Sequence, residues 1–143
     1  MRLERMLLVG VVGIVVGLIG VASAQTKAVL WPAAMIKWTD NPAVPGAKVA
    51  TLWGDPTKGA YGALKQVPAG TVLAAHTHKN DSHVVTVKGS ITLEIDGKKT
   101  VLGSGSYALI PGGVPHSATC GAGAACEYFE HMAGAFDSSP AKH

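Results

Sequence analysis

The chain reads as an all-β domain, an antiparallel sandwich or small barrel, and three observations predict it. Between residues 48 and 131, short extended stretches recur at near-regular spacing, each closed by a Gly- or Pro-rich turn. Several alternate apolar and polar residues with the period of two that a half-buried strand requires, and Ser90-Ile91-Thr92-Leu93-Glu94-Ile95 does so most cleanly. No stretch after residue 24 carries the 3.6-residue period of an amphipathic helix.

The first segment stands apart from that domain. Met1-Arg2-Leu3-Glu4-Arg5 is a short charged start, Met6 to Val21 is an apolar run, and Ala22-Ser23-Ala24 is a small-x-small cleavage pattern. Residues 1–24 are therefore expected to be a secretory signal peptide, with the mature chain starting at Gln25 and residing in the periplasm or outside the cell. The alternative, an uncleaved anchor, is disfavoured because the run is shorter than the ~20 residues a membrane span needs. Without the segment, no stretch of the mature chain is expected to engage a membrane.

Loss of Arg2, Arg5 and Glu4 leaves ten lysines against eight carboxylates, a net charge of +2. That is too little to attract nucleic acid or an anionic surface, and scattered lysines lack the planar forks that phosphate recognition exploits. Nucleic acid is excluded as a partner on these grounds.

Residues 25–47 form an irregular N-terminal arm punctuated by Trp31-Pro32, Asn41-Pro42 and Pro45-Gly46. Trp31, Ile36 and Trp38 are expected to cover one end or face of the core. Strands are expected over 48–53 and 61–67, separated by the turn-rich 54–59. The next runs over 71–78, and after the polar corner 79–81 the chain is extended again through Val87. Asp96-Gly97 is a tight-hairpin signal joining strands 90–95 and 98–102. Strands 107–110, from His116, and 127–131 follow, and residues 132–143 are a Gly-, Ser- and Pro-rich tail expected to be loosely held. Cys120 and Cys126 flank a small-residue loop that lets the chain fold back. In an oxidising compartment this predicts a disulfide, metal ligation by Cys120 being the alternative.

Function is concentrated in His76-Thr77-His78-Lys79-Asn80-Asp81-Ser82-His83. On a strand, a spacing of two puts His76 and His78 on one face, where two imidazoles can hold one cation. His116 follows a Pro/Gly turn further on. The pattern Gly70-x5-His76-x-His78-x4-His83-x5-Gly89, then Gly105-x5-Pro111-x-Gly113-x2-His116, resembles the paired motifs of the cupin superfamily. That resemblance covers residues 70–116. It implies an antiparallel jelly-roll β-barrel over residues 48–131, with one divalent transition metal held inside by His76, His78 and His116. Two departures stand out. The family's first-motif glutamate is missing, and Cys120 stands where the family has an asparagine that is not a ligand.

Counting three residues past His78 lands on Ser82, and counting four lands on His83. Alternation groups His83 with Val85 and Val87, so His83 is expected to be the fourth ligand, with a water in its place as the alternative. Histidine donors suit Zn, Fe, Cu or Ni better than Mn(II). Glu127 and Glu130 fall on opposite faces of the last strand, and Tyr107, Tyr128 and His131 are candidate pocket liners. No nucleophile elbow, phosphate loop or dinucleotide fingerprint is present. Two function classes compete, ahead of a purely structural jelly roll whose histidines are vestigial. One is a metal-dependent, dioxygenase-like enzyme acting on a small oxygenated organic molecule; the other is a non-catalytic binder or sensor of a metal or small ligand. The resemblance also implies a homodimer.

Overall fold

A computed structural model describes residues 27–141; the expected signal peptide and its cleavage site lie outside the described residues. Residues 31–141 fold as two antiparallel sheets. Their strands in chain order are β1 (Thr39–Asp40), β2 (Lys48–Gly54), β3 (Tyr61–Val67), β4 (Val72–Thr77), β5 (Ser82–Lys88), β6 (Ser90–Ile95), β7 (Lys98–Gly103), β8 (Tyr107–Ile110), β9 (His116–Cys120), β10 (Cys126–Met132) and β11 (Ser139–Pro140). One sheet has the order β1-β2-β3-β10-β5-β8 and the other β11-β4-β9-β6-β7. Consecutive strands alternate between the sheets at several connections, as a jelly roll requires.

The inner faces follow from register. In β3, Tyr61, Ala63 and Val67 are buried; in β10, their neighbours Cys126, Glu130 and Met132 are buried as well. In β6, Ile91 and Leu93 face the interior, while Glu94 points away and meets Lys99 of β7 at 3.7 Å. Asp96 and Gly97 both adopt positive φ, 50° and 73°, the geometry of the type I′ turn that an Asp-Gly pair favours.

The two sheets are clipped together at one end. Cys120 closes β9 and Cys126 opens β10, so their disulfide, with Cα atoms 5.8 Å apart, joins strands of different sheets. The expected bridge is present, and both cysteines pack with Ala47, Val67 and Ile91. Gly89, at the foot of β5, has a φ of 74°, and a Cβ there would meet the Ala125 carbonyl at 2.8 Å. Only glycine lets the chain pass that close to the bridge.

Both flanks of the barrel are more structured than expected. In the arm, β1 adds to β2, and Ala33–Met35 form a 3₁₀ turn. The tail was expected to be loose, yet β11 pairs with β4, placing Ser139 opposite Thr77 and Pro140 opposite His76. Its composition is dominated by small and polar residues, so the contact comes from main-chain pairing that composition does not reveal.

Candidate metal centre

His116 opens β9 and His76 lies near the end of β4, and the two are directly paired across the ladder. A register irregularity between Leu73 and His76 sets that pairing. His78 follows just beyond β4, where its carbonyl accepts a hydrogen bond from the Gly113 N–H at 2.7 Å. That bond fastens the second Gly/Pro turn to the first histidine stretch. The site therefore lies at the opposite end of β9 from the disulfide.

One nitrogen from each of His76, His78 and His116 converges, all three lying within 4.8 Å of one another. Ring centroids are 4.9, 4.3 and 5.3 Å apart for the 76–78, 76–116 and 78–116 pairs. Metal–imidazole bonds are ~2.0–2.1 Å, so the rings need to close by only fractions of an ångström around one ion.

Each Nδ1 is already committed. His76 donates to the Ala74 carbonyl at 2.7 Å, His116 donates to the Val114 carbonyl at 3.0 Å, and His78 donates to the Asp137 carbonyl. These bonds select the tautomer whose Nε2 carries the free lone pair, the usual arrangement behind a ligating histidine. Burial pushes the imidazoles of His76 and His116 below the ordinary 6.5, and repulsion from the neighbouring histidines adds to it. The neutral rings that result are the form that binds metal. The donor set therefore fits a borderline divalent transition ion.

His83 is not brought to this group. Ser82, Val84 and Thr86 are the inward residues of β5: Ser82 and Thr86 are buried, and Val84 lines the interior cavity. His83 consequently projects from the outer face, where its Nδ1 shares a 2.7 Å hydrogen bond with the Tyr107 hydroxyl. The expected fourth ligand is corrected accordingly. The inward position is the small hydroxyl of Ser82, and the apolar outer face misdirected the alternation, since Val85 lies out beside Phe129 and Tyr107.

The carboxylate absent from the first motif has a counterpart on the facing sheet. Glu130 of β10 lines the same cavity as the three histidines. Its Oε2 accepts from the Tyr61 hydroxyl at 2.8 Å and is paired with the Lys65 ammonium, both groups belonging to β3. Burial works to raise the Glu130 carboxyl, but the Lys65 charge and the two hydrogen bonds outweigh it and hold it below its ordinary value. Burial and the Glu130 charge together push the Tyr61 hydroxyl far up, so it stays protonated. Assignment of Glu127 and Glu130 to opposite faces pointed to one inward glutamate, and the buried Cys126 on the same face identifies which. Lys65 gave no sequence signal beyond its place among the inward residues of β3.

The interior cavity is about 60 Å³ and is walled mostly by aliphatic side chains, among them Leu73, Val84, Ile91 and Leu93. A larger open cavity of about 480 Å³ lies beyond Lys65 and Tyr61 and includes Phe136. The Phe136 ring centroid lies 5.8 Å from that of His78 and 4.9 Å from the Lys65 Nζ.

Comparison with known proteins agrees with the fold and the motif. Residues 63–131 match the model of the cupin domain family. Fifty residues are 42% identical to quercetin 2,3-dioxygenase of Bacillus subtilis, a stretch that is 34% of this chain but only 14% of that protein. An RmlC-like cupin from Shewanella frigidimarina superposes with a TM-score of 0.64 at 18% identity, over 78% of this chain and 95% of the other. The polyketide cyclase RemF of Streptomyces resistomycificus gives 0.67 at 17% identity, over 83% and 87%.

Proposed function

Because residues 63–131 match the cupin domain family and the two sheets form a cupin-like jelly roll, we propose that this chain is an exported, metal-dependent oxidoreductase of dioxygenase type acting on a small oxygenated organic molecule. The observation that carries the reading is the convergence of three imidazoles whose Nδ1 atoms are all committed to backbone carbonyls. Similarity to a stretch of quercetin 2,3-dioxygenase supports the choice of reaction class. A divalent transition ion held by His76, His78 and His116 supplies Lewis acidity toward a substrate oxygen and, if redox-active, a route for electrons to O2.

The chain's own groups divide the remaining work. Glu130 Oε2 is held by Tyr61 and Lys65, while Oε1 has no hydrogen-bond partner among the described residues. It is the base available to take the proton of a substrate hydroxyl. Lys65 keeps Glu130 ionised and so ready for that role. The aliphatic walls exclude water around the reacting oxygen. At about 480 Å³, the open cavity beside Phe136 is of the size that holds a small organic ligand. In a dioxygenation that cleaves an enol-type carbon–carbon double bond, both oxygen atoms enter the substrate and the σ and π pairs of that bond supply the four electrons that O2 takes up, so no separate reductant is needed.

One observation favours the second reading, a non-catalytic binder or sensor of a metal or small ligand. The cavity that touches the histidines is only about 60 Å³, too small for substrate without movement of a neighbour such as Phe136. The two readings separate by experiment. The mature protein is loaded in turn with Fe(II), Cu(II), Ni(II) and Zn(II), and O2 consumption is followed over a panel of phenols and diketones. Turnover with a redox-active ion and its loss in Glu130→Gln support the enzyme. Absence of turnover with every ion transfers the proposal to the binder. Export rests on the N-terminal segment, and association with a second copy of the chain rests on the resemblance.

A further inference from the structure

His83, displaced from the interior, has a partner on the outer face. It is the direct cross-strand neighbour of His131, with ring centroids 5.3 Å apart. That equals the separation of His78 and His116 inside the barrel, a pair already spaced for one ion. We propose that His83 and His131 form a second metal site, on the outer face of the six-stranded sheet, selective for Cu(II), Ni(II) or Zn(II) and independent of the interior triad.

The geometry of the face supports two ligating nitrogens. With the His83 Nδ1–H donating to the Tyr107 hydroxyl oxygen at 2.7 Å, Nε2 is left free to coordinate. Neither ring nitrogen of His131 has a hydrogen-bond partner among the described residues. Its neighbour on the other side is Gly62, and the space a side chain would occupy there is taken by the Trp53 indole, which a Gly62 Cβ would meet at 2.2 Å. The indole lies 5.4 Å from the His131 ring, centroid to centroid. Trp53 and Tyr107 thus hold the pair from either side, and both are exposed, as an exchangeable site requires.

The chemistry of the row sets the selectivity. In register across the sheet it runs Trp53, Gly62, His131, His83, Leu109, with no charged residue among them. Two imidazole donors with no carboxylate favour the upper end of the divalent transition series and disfavour Mg(II), Ca(II) and Mn(II). Water completes the coordination sphere, so this ion exchanges where the interior one is enclosed.

The test is titration of the full mature protein, its interior site already loaded, with Cu(II). Copper content and tryptophan fluorescence are followed together. A second equivalent is expected to bind and to quench fluorescence, the quenching falling in Trp53→Phe. His83→Gln and His131→Gln are each expected to lose that equivalent and keep the interior ion, which also reports that they fold. His76→Ala is expected to do the reverse. Copper-induced broadening of NMR signals in the unmutated protein gives a check that needs no variant, and it should centre on His83, His131 and Trp53. The proposal fails if no second equivalent binds, if it survives both glutamine variants, or if the broadening centres elsewhere.

Discussion

His78 donates from Nδ1 to the backbone carbonyl of Asp137, fifty-nine residues further along the chain. The Asp137 carboxylate in turn accepts the Lys79 N–H, at 3.0 and 3.1 Å to its two oxygens. A Gly/Ser/Pro-rich terminal segment is thereby made part of the wall behind a candidate metal ligand. Bonds of this kind fix the orientation of the ring as well as its tautomer.

A chain ending at Ala135 is therefore expected to keep its two sheets but to bind metal roughly 10–100-fold more weakly, the range typical for loss of such a support. Competition with a chromophoric chelator measures it. Asp137→Ala should cost less, because the carbonyl that His78 uses survives the substitution.

Lys65 and Glu130 make a second demand on the interior. Removal of one partner from a buried ion pair costs about 3–5 kcal/mol, because the remaining charge is left uncompensated. Lys65→Met is expected to lower stability by that order in urea denaturation, tempered by the Tyr61 hydroxyl bond that Glu130 retains. Lys65→Met combined with Glu130→Gln should recover most of the loss, since it leaves no unpaired charge.

The same pair predicts an acid limit. Glu130 is held below its ordinary 4.5 in the folded chain, so the unfolded chain takes up the proton first as pH falls. Its contribution to stability is complete above about 4.5 and is lost as pH drops through the lower folded value. Thermal unfolding midpoints should decline over that window in the wild type and less steeply in Glu130→Gln.

The Cys120–Cys126 bridge closes only a short loop, so the direct effect of its reduction should sit near the low end of the ~2–4 kcal/mol range. Because the bridge joins the two sheets at the end away from the histidines, reduction is expected to lower the melting temperature with little change in metal affinity. Calorimetry and chelator competition, each with and without reductant, test both parts.

Much of the architecture could be read from residues. Asp96-Gly97, the alternation of 90–95 and the Gly/Pro turns marked the hairpins, because local turn chemistry and period-two burial act within a few residues. The 76–78 pair followed from strand geometry alone. His83 did not, since the sheet carries Val85 and Phe129 on its outer face and the apolar pattern no longer distinguishes inside from outside. Register with β8 decides it by setting Val84 opposite Ala108, both of which line the interior. The roles of Asp137 and Lys65 depend on contacts between distant segments, to which no local pattern responds.

The proposed chemistry depends on His76, His78 and His116 binding one ion together. Anomalous-difference density from crystals of the mature protein, grown with Zn(II) or Cu(II) and measured at the metal edge, tests it most directly. A peak is expected at ~2.0–2.1 Å from the Nε2 atoms of all three rings, absent in His116→Ala. Metal-loaded crystals without a peak among those rings would contradict it.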